Sequence, residues 1–305
     1  MKQKNKDLRL SLIGVPTNSA GSKNGVARAP LVLRQAGLVD ALGSHCEIHD
    51  EGDVKFLEPV LQRHDKYRII GYDSFVSMVY SVQRSVSKVL QEDRFPLVIG
   101  GDCPILLGCL AATKDIYEKF GLFFIDGHED AYPPQKSPTG ETADMELGFA
   151  LGKNIENLTR EFTKLLPLVD KTNVCLFGPR DKKILQNTDI ESLVDEVNCY
   201  DDTIIHSNSI EKLTNNAITS FRDRVNAWWT HIDLDVLSTD SLSAVDYKQT
   251  GGISWNELYQ ISVPLLSQEC IGCNITIYNP DLDPNMHHAK RIVKYLEDVV
   301  STINK

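Results

Sequence analysis

Short apolar runs alternate along the chain with segments that have helical periodicity. In segment 74–91, valines recur at three- or four-residue intervals, which predicts an amphipathic helix, and segment 287–302 predicts a closing helix in the same way. Apolar runs that predict strands are 10–15, 96–100, 121–125, 174–177, 228–233 and 271–278. Short apolar strands separated by helices are typical of a parallel sheet covered on both faces. No linker or internal repeat divides the sequence, which predicts a single domain over residues 1–305.

Composition narrows the classes of partner. Apolar residues make up 42% of the 305 residues, which is enough for a large core, and the formal net charge is −10. This charge argues against nucleic acid and against anionic membrane surfaces as partners, and favours a cationic or neutral small molecule.

Compartment signals point to the cytoplasm. Residues 1–7 are charged and precede no apolar run of signal-peptide length, and no segment is apolar enough to span a bilayer. The seven cysteines are scattered and odd in number, as expected in a reducing compartment.

Two clusters of acidic and imidazole side chains follow or end predicted strands. Their alternate members are Asp126, His128 and Asp130 in the first cluster, and His231, Asp233 and Asp235 in the second. In an extended chain alternate side chains share one face, and ligands of parallel sheets bind beyond the carboxyl ends of the strands. Converging carboxylates repel each other unless a cation lies between them. The sequence therefore predicts a metal-dependent hydrolase or a descendant of one.

Several motifs together resemble the ureohydrolase superfamily, which includes arginase, agmatinase and formimidoylglutamase. In chain order they are Ile13-Gly-Val-Pro16, Gly100-Gly-Asp-Cys103, Asp126-Gly-His-Glu-Asp130, Asp233-Leu-Asp235 and Gly251-Gly-Ile-Ser254. The resemblance implies a single arginase-like metallohydrolase domain, a three-layer α/β/α sandwich with a mainly parallel, roughly eight-stranded sheet. It also implies Mn²⁺ ions at the carboxyl edge, a bridging hydroxide that attacks a guanidinium-type carbon, and a homo-oligomer, either a trimer or a hexamer.

Cys103 departs from the family, which has a histidine ligand at this position. The other ligands that the resemblance implies for the same ion are Asp126, Asp130 and Asp233, and those of the second ion are Asp126, His128, Asp233 and Asp235. A Cys103 thiolate would shift the metal preference from Mn²⁺ toward zinc, iron or nickel, whereas a packed thiol would leave the first ion weakly held. We therefore expect one or two ions.

The loop of residues 131–145 is rich in Pro and Gly, as expected of an active-site rim. It differs from the arginase pattern at Ala143, where arginases carry a proton-shuttling histidine. Thr139, Glu141 and Asp144 are the predicted substrate-binding residues. The alternative for Glu141 and Asp144 is that they are solvated loop carboxylates.

Asp130 and His231 are the predicted catalytic residues. His231 is the candidate to replace the missing shuttle. The alternative is a hydrogen-bonded strand histidine that orients Asp233.

Ile277 lies where arginases place the glutamate that binds the guanidinium group. An isoleucine offers no charge-assisted hydrogen bond, so we do not expect arginine hydrolysis in the usual mode. The expected substrate is another amidine, a formimino compound, a guanidino derivative or an amide.

Two functions remain open. The first is a metal-dependent hydrolase of a non-peptide C–N bond, which the retained acidic ligands favour. The second is a non-catalytic homologue that acts as a binding or regulatory subunit, which the changes at Cys103, Ala143 and Ile277 favour. We adopt the enzyme as the prediction.

Overall fold

The computed structural model describes residues 8–267 and 269–304. Residues 1–7, on which the expected absence of a signal peptide rests, lie outside this part. The strands are β1 (Arg9–Val15), β2 (Glu47–Asp53), β3 (Phe95–Gly100), β4 (Gly121–Ile125), β5 (Val174–Phe177), β6 (Asn198–Tyr200), β7 (Trp228–Asp233) and β8 (Cys270–Thr276).

Helices connect the strands. They are α1 (Ala29–Gln35), α2 (Leu38–Gly43), α3 (Tyr72–Gln91), α4 (Ile105–Ile116), α5 (Glu146–Ala150), α6 (Arg160–Thr163), α7 (Lys182–Asn187), α8 (Asp202–Ser207), α9 (Ile210–Arg222), α10 (Trp255–Leu265) and α11 (His287–Ile303). Within the described residues, no helix is long and apolar enough to cross a membrane.

All eight strands form one sheet in the order β2-β1-β3-β8-β7-β4-β5-β6, and every neighbouring pair is parallel. The predicted α/β/α sandwich is therefore confirmed. The sequence pattern missed β2 and β6, the two edge strands, because most of their side chains are polar or partly exposed.

Alternate residues of β4 face two separate hydrophobic clusters. Phe123 and Ile125 belong to the cluster that contains residues of α9 and α11, whereas Leu122 and Phe124 belong to the cluster that contains residues of α3 and α4. The sheet is thus buried on both faces, as its apolar strands predict.

The central strands bring their carboxyl ends to one place. Ile125 of β4 lies beside Ile232 of β7, and Asp233 lies beside Thr276 of β8. Because the strands are parallel, residues that follow β3, β4, β7 and β8 converge at the same edge of the sheet.

A substitution of Phe221 would test how helix α9 packs on the sheet. Its ring is fully buried and stacks on Phe123 with centroids 4.3 Å apart. We expect Phe221→Ala to lower the free energy of unfolding by about 3–5 kcal/mol, measured by denaturant titration. Leu31→Ala, at a side chain that is 51% exposed, is the control and should change it by less than about 0.5 kcal/mol. Equal losses in both variants would contradict this account of the core.

Candidate metal centre and the cavity above it

In each acidic cluster the backbone makes a short turn directly after the aspartate that ends or follows the strand. Asp126 Oδ1 accepts a hydrogen bond from the backbone N–H of His128 at 2.7 Å, and Asp233 Oδ1 accepts one from that of Asp235 at 2.6 Å. The first cluster is a loop, and Asp235 lies in a 3₁₀ turn, Leu234–Val236. The expected extended geometry is therefore wrong beyond the strand ends. These short turns bring the side chains together instead.

An outer group of candidate ligands consists of Asp126, His128 and Asp235. One ligand atom of each lies within 4.8 Å of the others. His128 Nδ1 is 3.0 Å from Asp235 Oδ2 and 3.6 Å from Asp126 Oδ1. His128 is partly exposed, so this group reaches solvent through the imidazole.

A deeper group consists of Cys103, Asp126, Glu146 and His231, whose ligand atoms also lie within 4.8 Å of one another. All four residues are buried. Asp126 belongs to both groups and lies between them. The sequence analysis missed Glu146, although one signal was present: it is a lone acid in the apolar segment 145–151, and a buried acid in such a place needs a partner.

Unpartnered atoms in the deep group test whether these residues fit a metal. Asp126 Oδ2, both carboxylate oxygens of Glu146 and His231 Nε2 are buried without a hydrogen-bond partner. Burial of unpaired polar atoms is costly, and oxygen, nitrogen and sulfur atoms at this spacing are typical ligands of divalent ions. The donor set therefore fits a cation.

The protonation of the centre reflects the crowding of acids. Burial, followed by the charge of Glu146, raises the pKa of Asp130 well above its usual range. Burial likewise raises the pKa values of Glu146 and Asp233. Each raised pKa favours the protonated acid, so a divalent ion would compete with protons for the same oxygens.

Cys103 points into the centre from the turn after β3. Its Sγ atom donates a hydrogen bond to Asp233 Oδ2 at 2.6 Å and lies 3.1 Å from Thr276 Oγ1. Burial, followed by the charge of Asp233, raises the pKa of the thiol well above its usual range. Asp102 fixes this turn, since its carboxylate accepts hydrogen bonds from the backbone N–H groups of Cys103 and Ser19.

The two predicted catalytic residues lie at different depths. Asp130 lines the cavity described below. His231 is fully buried and stacks on Phe124 with centroids 4.6 Å apart. Its Nε2 atom is 3.8 Å from Asp126 Oδ2. This position favours the alternative, a histidine that orients an aspartate, but the aspartate is Asp126 and not Asp233. Its role as a proton shuttle stays a prediction.

A cavity of about 440 Å³ opens above the centre, and acids are the most frequent charged residues in its wall. The acidic residues that line it are Asp130, Glu141, Asp144, Asp181, Asp233, Asp235 and Asp246. The three predicted substrate-binding residues, Thr139, Glu141 and Asp144, all contribute to the wall, as does Ala143. The 131–145 loop therefore forms part of the cavity wall, where an active-site rim is expected.

Two acids in the wall each keep one buried oxygen without a partner. Asp181 Oδ2 accepts a hydrogen bond from the backbone N–H of Glu129 at 3.3 Å, and Asp144 Oδ2 accepts one from Ser137 Oγ at 2.7 Å. The Oδ1 atom of each acid has no partner. Burial raises the pKa of Asp181 and of Asp144 to about 7. The sequence pattern did not indicate Asp181, because this residue is an isolated acid after β5 and belongs to no acidic cluster.

Ile277 also lines the cavity, directly after β8. Its backbone N–H donates to the carbonyl oxygen of Gly101 at 2.8 Å, and its φ angle is +74°. A positive φ is strained for a β-branched residue, so the surrounding backbone must hold Ile277 in place.

Comparisons with known proteins agree with this geometry. The profile of the arginase family matches residues 8–300. Arginase of Staphylococcus aureus (strain MRSA252) is 27% identical over 292 residues, which cover 93% of this chain and 94% of the relative. The solved structure of arginase from Bacillus caldovelox has a TM-score of 0.84 at 25% identity and covers 96% of this chain and 98% of its own. Formimidoylglutamase from Bacillus subtilis shares the fold, with a TM-score of 0.72, 18% identity and coverage of 99% and 89%. Since the family profile spans nearly the whole sequence, this chain belongs to the arginase family of hydrolases.

Proposed function

We propose that this protein hydrolyses a C–N bond in a small cationic guanidino, amidino or formimino compound, with the help of one or two divalent ions. The observation that carries the proposal is the acid-lined cavity that opens onto His128 and Asp235 of the outer group, beneath which the buried deep group lies. A divalent ion held there would lower the pKa of a bound water and stabilise negative charge on the attacked group.

Charge in the cavity wall supports a cationic substrate. Seven acids line the cavity, whereas its basic lining residues are Lys248 and His128. The unpartnered oxygens of Asp144 and Asp181 give a cationic group two acceptors, and Glu141 adds a third acid beside Tyr247, whose hydroxyl donates to it at 3.0 Å. In this proposal these three acids bind and orient the substrate, and Asp130 accepts and returns a proton beside the centre.

Arginine is the substrate that needs the closest test. The relatives named arginases give no support to a substrate other than arginine. The sequence of this chain supports a substrate other than arginine, because Ile277 presents an apolar side chain to the cavity where the resemblance implies a glutamate. We therefore propose that the cationic group is held by the acids of the 131–145 loop and Asp181.

Metal identity and assembly are parts of the same proposal. The outer group, with carboxylate and imidazole ligands, suits Mn²⁺. Assembly into a homo-oligomer, a trimer or a hexamer, stays a prediction.

The metal mechanism predicts loss of activity with the ligands. Metal-loaded protein is incubated with arginine, decarboxylated arginine, guanidino acids and formimino amino acids, and release of urea, ammonia or formamide is measured. We expect turnover of at least one compound, and its loss in Asp126→Ala and in Asp233→Ala. Asp240→Ala, at an exposed turn, is the control. Turnover that survives both ligand variants would contradict the mechanism, and no turnover with any compound would favour the non-catalytic homologue.

Asp181 predicts a pH dependence of substrate binding. Its pKa is raised to about 7, so the carboxylate that binds a cation is present above that pH and is lost below it. KM for a cationic substrate should fall as the pH rises through about 7. In Asp181→Asn we expect KM to rise about 10- to 100-fold above pH 7, with a shallower pH dependence and little change in kcat. A loss confined to kcat would contradict a binding role.

The position of Ile277 in the cavity predicts that a glutamate there would increase arginine hydrolysis. We expect Ile277→Glu to raise kcat/KM for arginine about tenfold, because a carboxylate adds a charge-assisted hydrogen bond to the guanidinium group. Ile277→Gln, of similar size but uncharged, is the control and should give little gain. If the unmodified protein already hydrolyses arginine as efficiently as the glutamate variant, the proposed restriction is wrong.

A further inference from the structure

We propose that Glu146 is a metal ligand of the deep group, where it compensates for the family histidine replaced by Cys103, and that His231 serves this group as a fixed N–H donor. The inference rests on the proposed metal-dependent function and assigns residues to it. The three proposed ligands of the deep ion are Cys103, Asp126 and Glu146.

The contacts of Glu146 differ from those of another buried acid close by. Glu129 is also fully buried, but its carboxylate accepts hydrogen bonds from Ser192 Oγ at 2.7 Å and from the backbone N–H of Leu193. Glu146 is 0% exposed, and neither of its oxygens receives a hydrogen bond from a donor group. Its carboxyl contacts that of Asp130, a second buried acid, and two acids in contact favour a cation between them. One Glu146 oxygen lies within 4.8 Å of Cys103 Sγ and of an Asp126 oxygen.

A chain of hydrogen bonds decides which nitrogen of His231 carries the proton. The Nε1 atom of Trp229 can only donate, and it donates to Asn274 Oδ1 at 2.7 Å. The amide nitrogen of Asn274 must then face His231, and it lies 2.6 Å from His231 Nδ1. Because an amide NH₂ also only donates, Nδ1 must accept and the ring proton sits on Nε2.

This tautomer sets the role of His231 in the deep group. An Nε2 atom that carries a proton has no lone pair for a metal, but it can donate to a carboxylate. Nε2 faces the unpartnered Asp126 Oδ2 at 3.8 Å. The Nε2 proton therefore faces Asp126, and the role assigned to His231 is to orient this one carboxylate, as the partners of metal ligands commonly do.

The ligand set changes the metal preference of the deep position. A thiolate from Cys103 and carboxylates from Asp126 and Glu146 favour Zn²⁺ over Mn²⁺, whereas the outer group lacks sulfur. On binding of Zn²⁺, the S–H bond of Cys103 would break, an S–Zn bond would form and the thiol proton would leave to solvent, as would any proton held by Glu146. The deep and outer positions should therefore hold different metals when both are offered.

Metal binding to the full chain tests the role of Glu146. Metal-free protein is titrated with Zn²⁺ by calorimetry, and bound metal is counted by mass spectrometry after both ions are offered together. We expect one Zn²⁺ and one Mn²⁺ per chain. In Glu146→Gln, Zn²⁺ affinity should fall by more than the roughly 10–100-fold that loss of an outer partner costs, with Mn²⁺ retained. The matched control, Glu129→Gln, removes a buried charge of the same kind nearby and should bind both ions as the unmodified protein does.

Spectroscopy gives a readout that does not depend on turnover. Co²⁺ in place of Zn²⁺ should show a thiolate-to-cobalt charge-transfer band that disappears in Cys103→Ser. Nitrogen-15 spectra of the unmodified, Zn²⁺-loaded protein should show a proton on His231 Nε2. That measurement keeps the proposal testable even if Glu146→Gln fails to fold.

Several outcomes overturn the inference. Unchanged Zn²⁺ affinity in Glu146→Gln removes its ligand role, and loss of the Nε2 proton on Zn²⁺ binding removes the donor role of His231. A protein that binds these ions as described but hydrolyses no compound contradicts the proposed function alone. A protein that binds no ion contradicts both.

Discussion

Repulsion between buried carboxylates is the constraint around which the centre is organised. Asp126 and Asp233 each come directly after a residue of the pair Ile125 and Ile232, which lie side by side in β4 and β7. The register of these two strands therefore keeps the two aspartates close. Neither residue is more than 1% exposed, so water cannot relieve the repulsion. Burial, followed by the charges of neighbouring acids, raises the pKa values of Glu146, Asp130 and Cys103, so protons bound there would relieve part of the repulsion. A divalent ion relieves the same charge and leaves the oxygens as ligands.

The centre has two levels with different exposure. His128 and Asp235 face the cavity, where a substrate can reach them, whereas Cys103 and Glu146 lie below and are fully buried. Asp126 belongs to both levels. An ion in the upper level would meet the substrate, and an ion in the lower level would act on it through the shared aspartate.

Two of the three departures from the arginase pattern lie on one side of the site. Cys103 follows β3 and Ile277 follows β8, and the two segments touch: Cys103 Sγ is 3.1 Å from Thr276 Oγ1, and the Ile277 N–H donates to Gly101. The β4 and β7 side keeps its full set of acids. These two changes are therefore close together and alter both the lower ligands and the wall of the cavity. Ala143, the third departure, lies in the part of the wall that the 131–145 loop supplies.

The sequence by itself determined the sheet, most of its strands and the acids at its edge, because apolar runs and aspartate motifs are local patterns. It left Glu146 and Asp181 unassigned, because Glu146 begins helix α5, Asp181 follows β5, and neither belongs to an acidic motif. It also left His231 open between a shuttle and an orienting residue. Only the tertiary structure supplied Asn274 and Trp229, whose hydrogen bonds from neighbouring strands fix the imidazole proton. Spacing along a chain predicts which side chains share a strand end, whereas the partners of buried polar atoms depend on how distant segments pack.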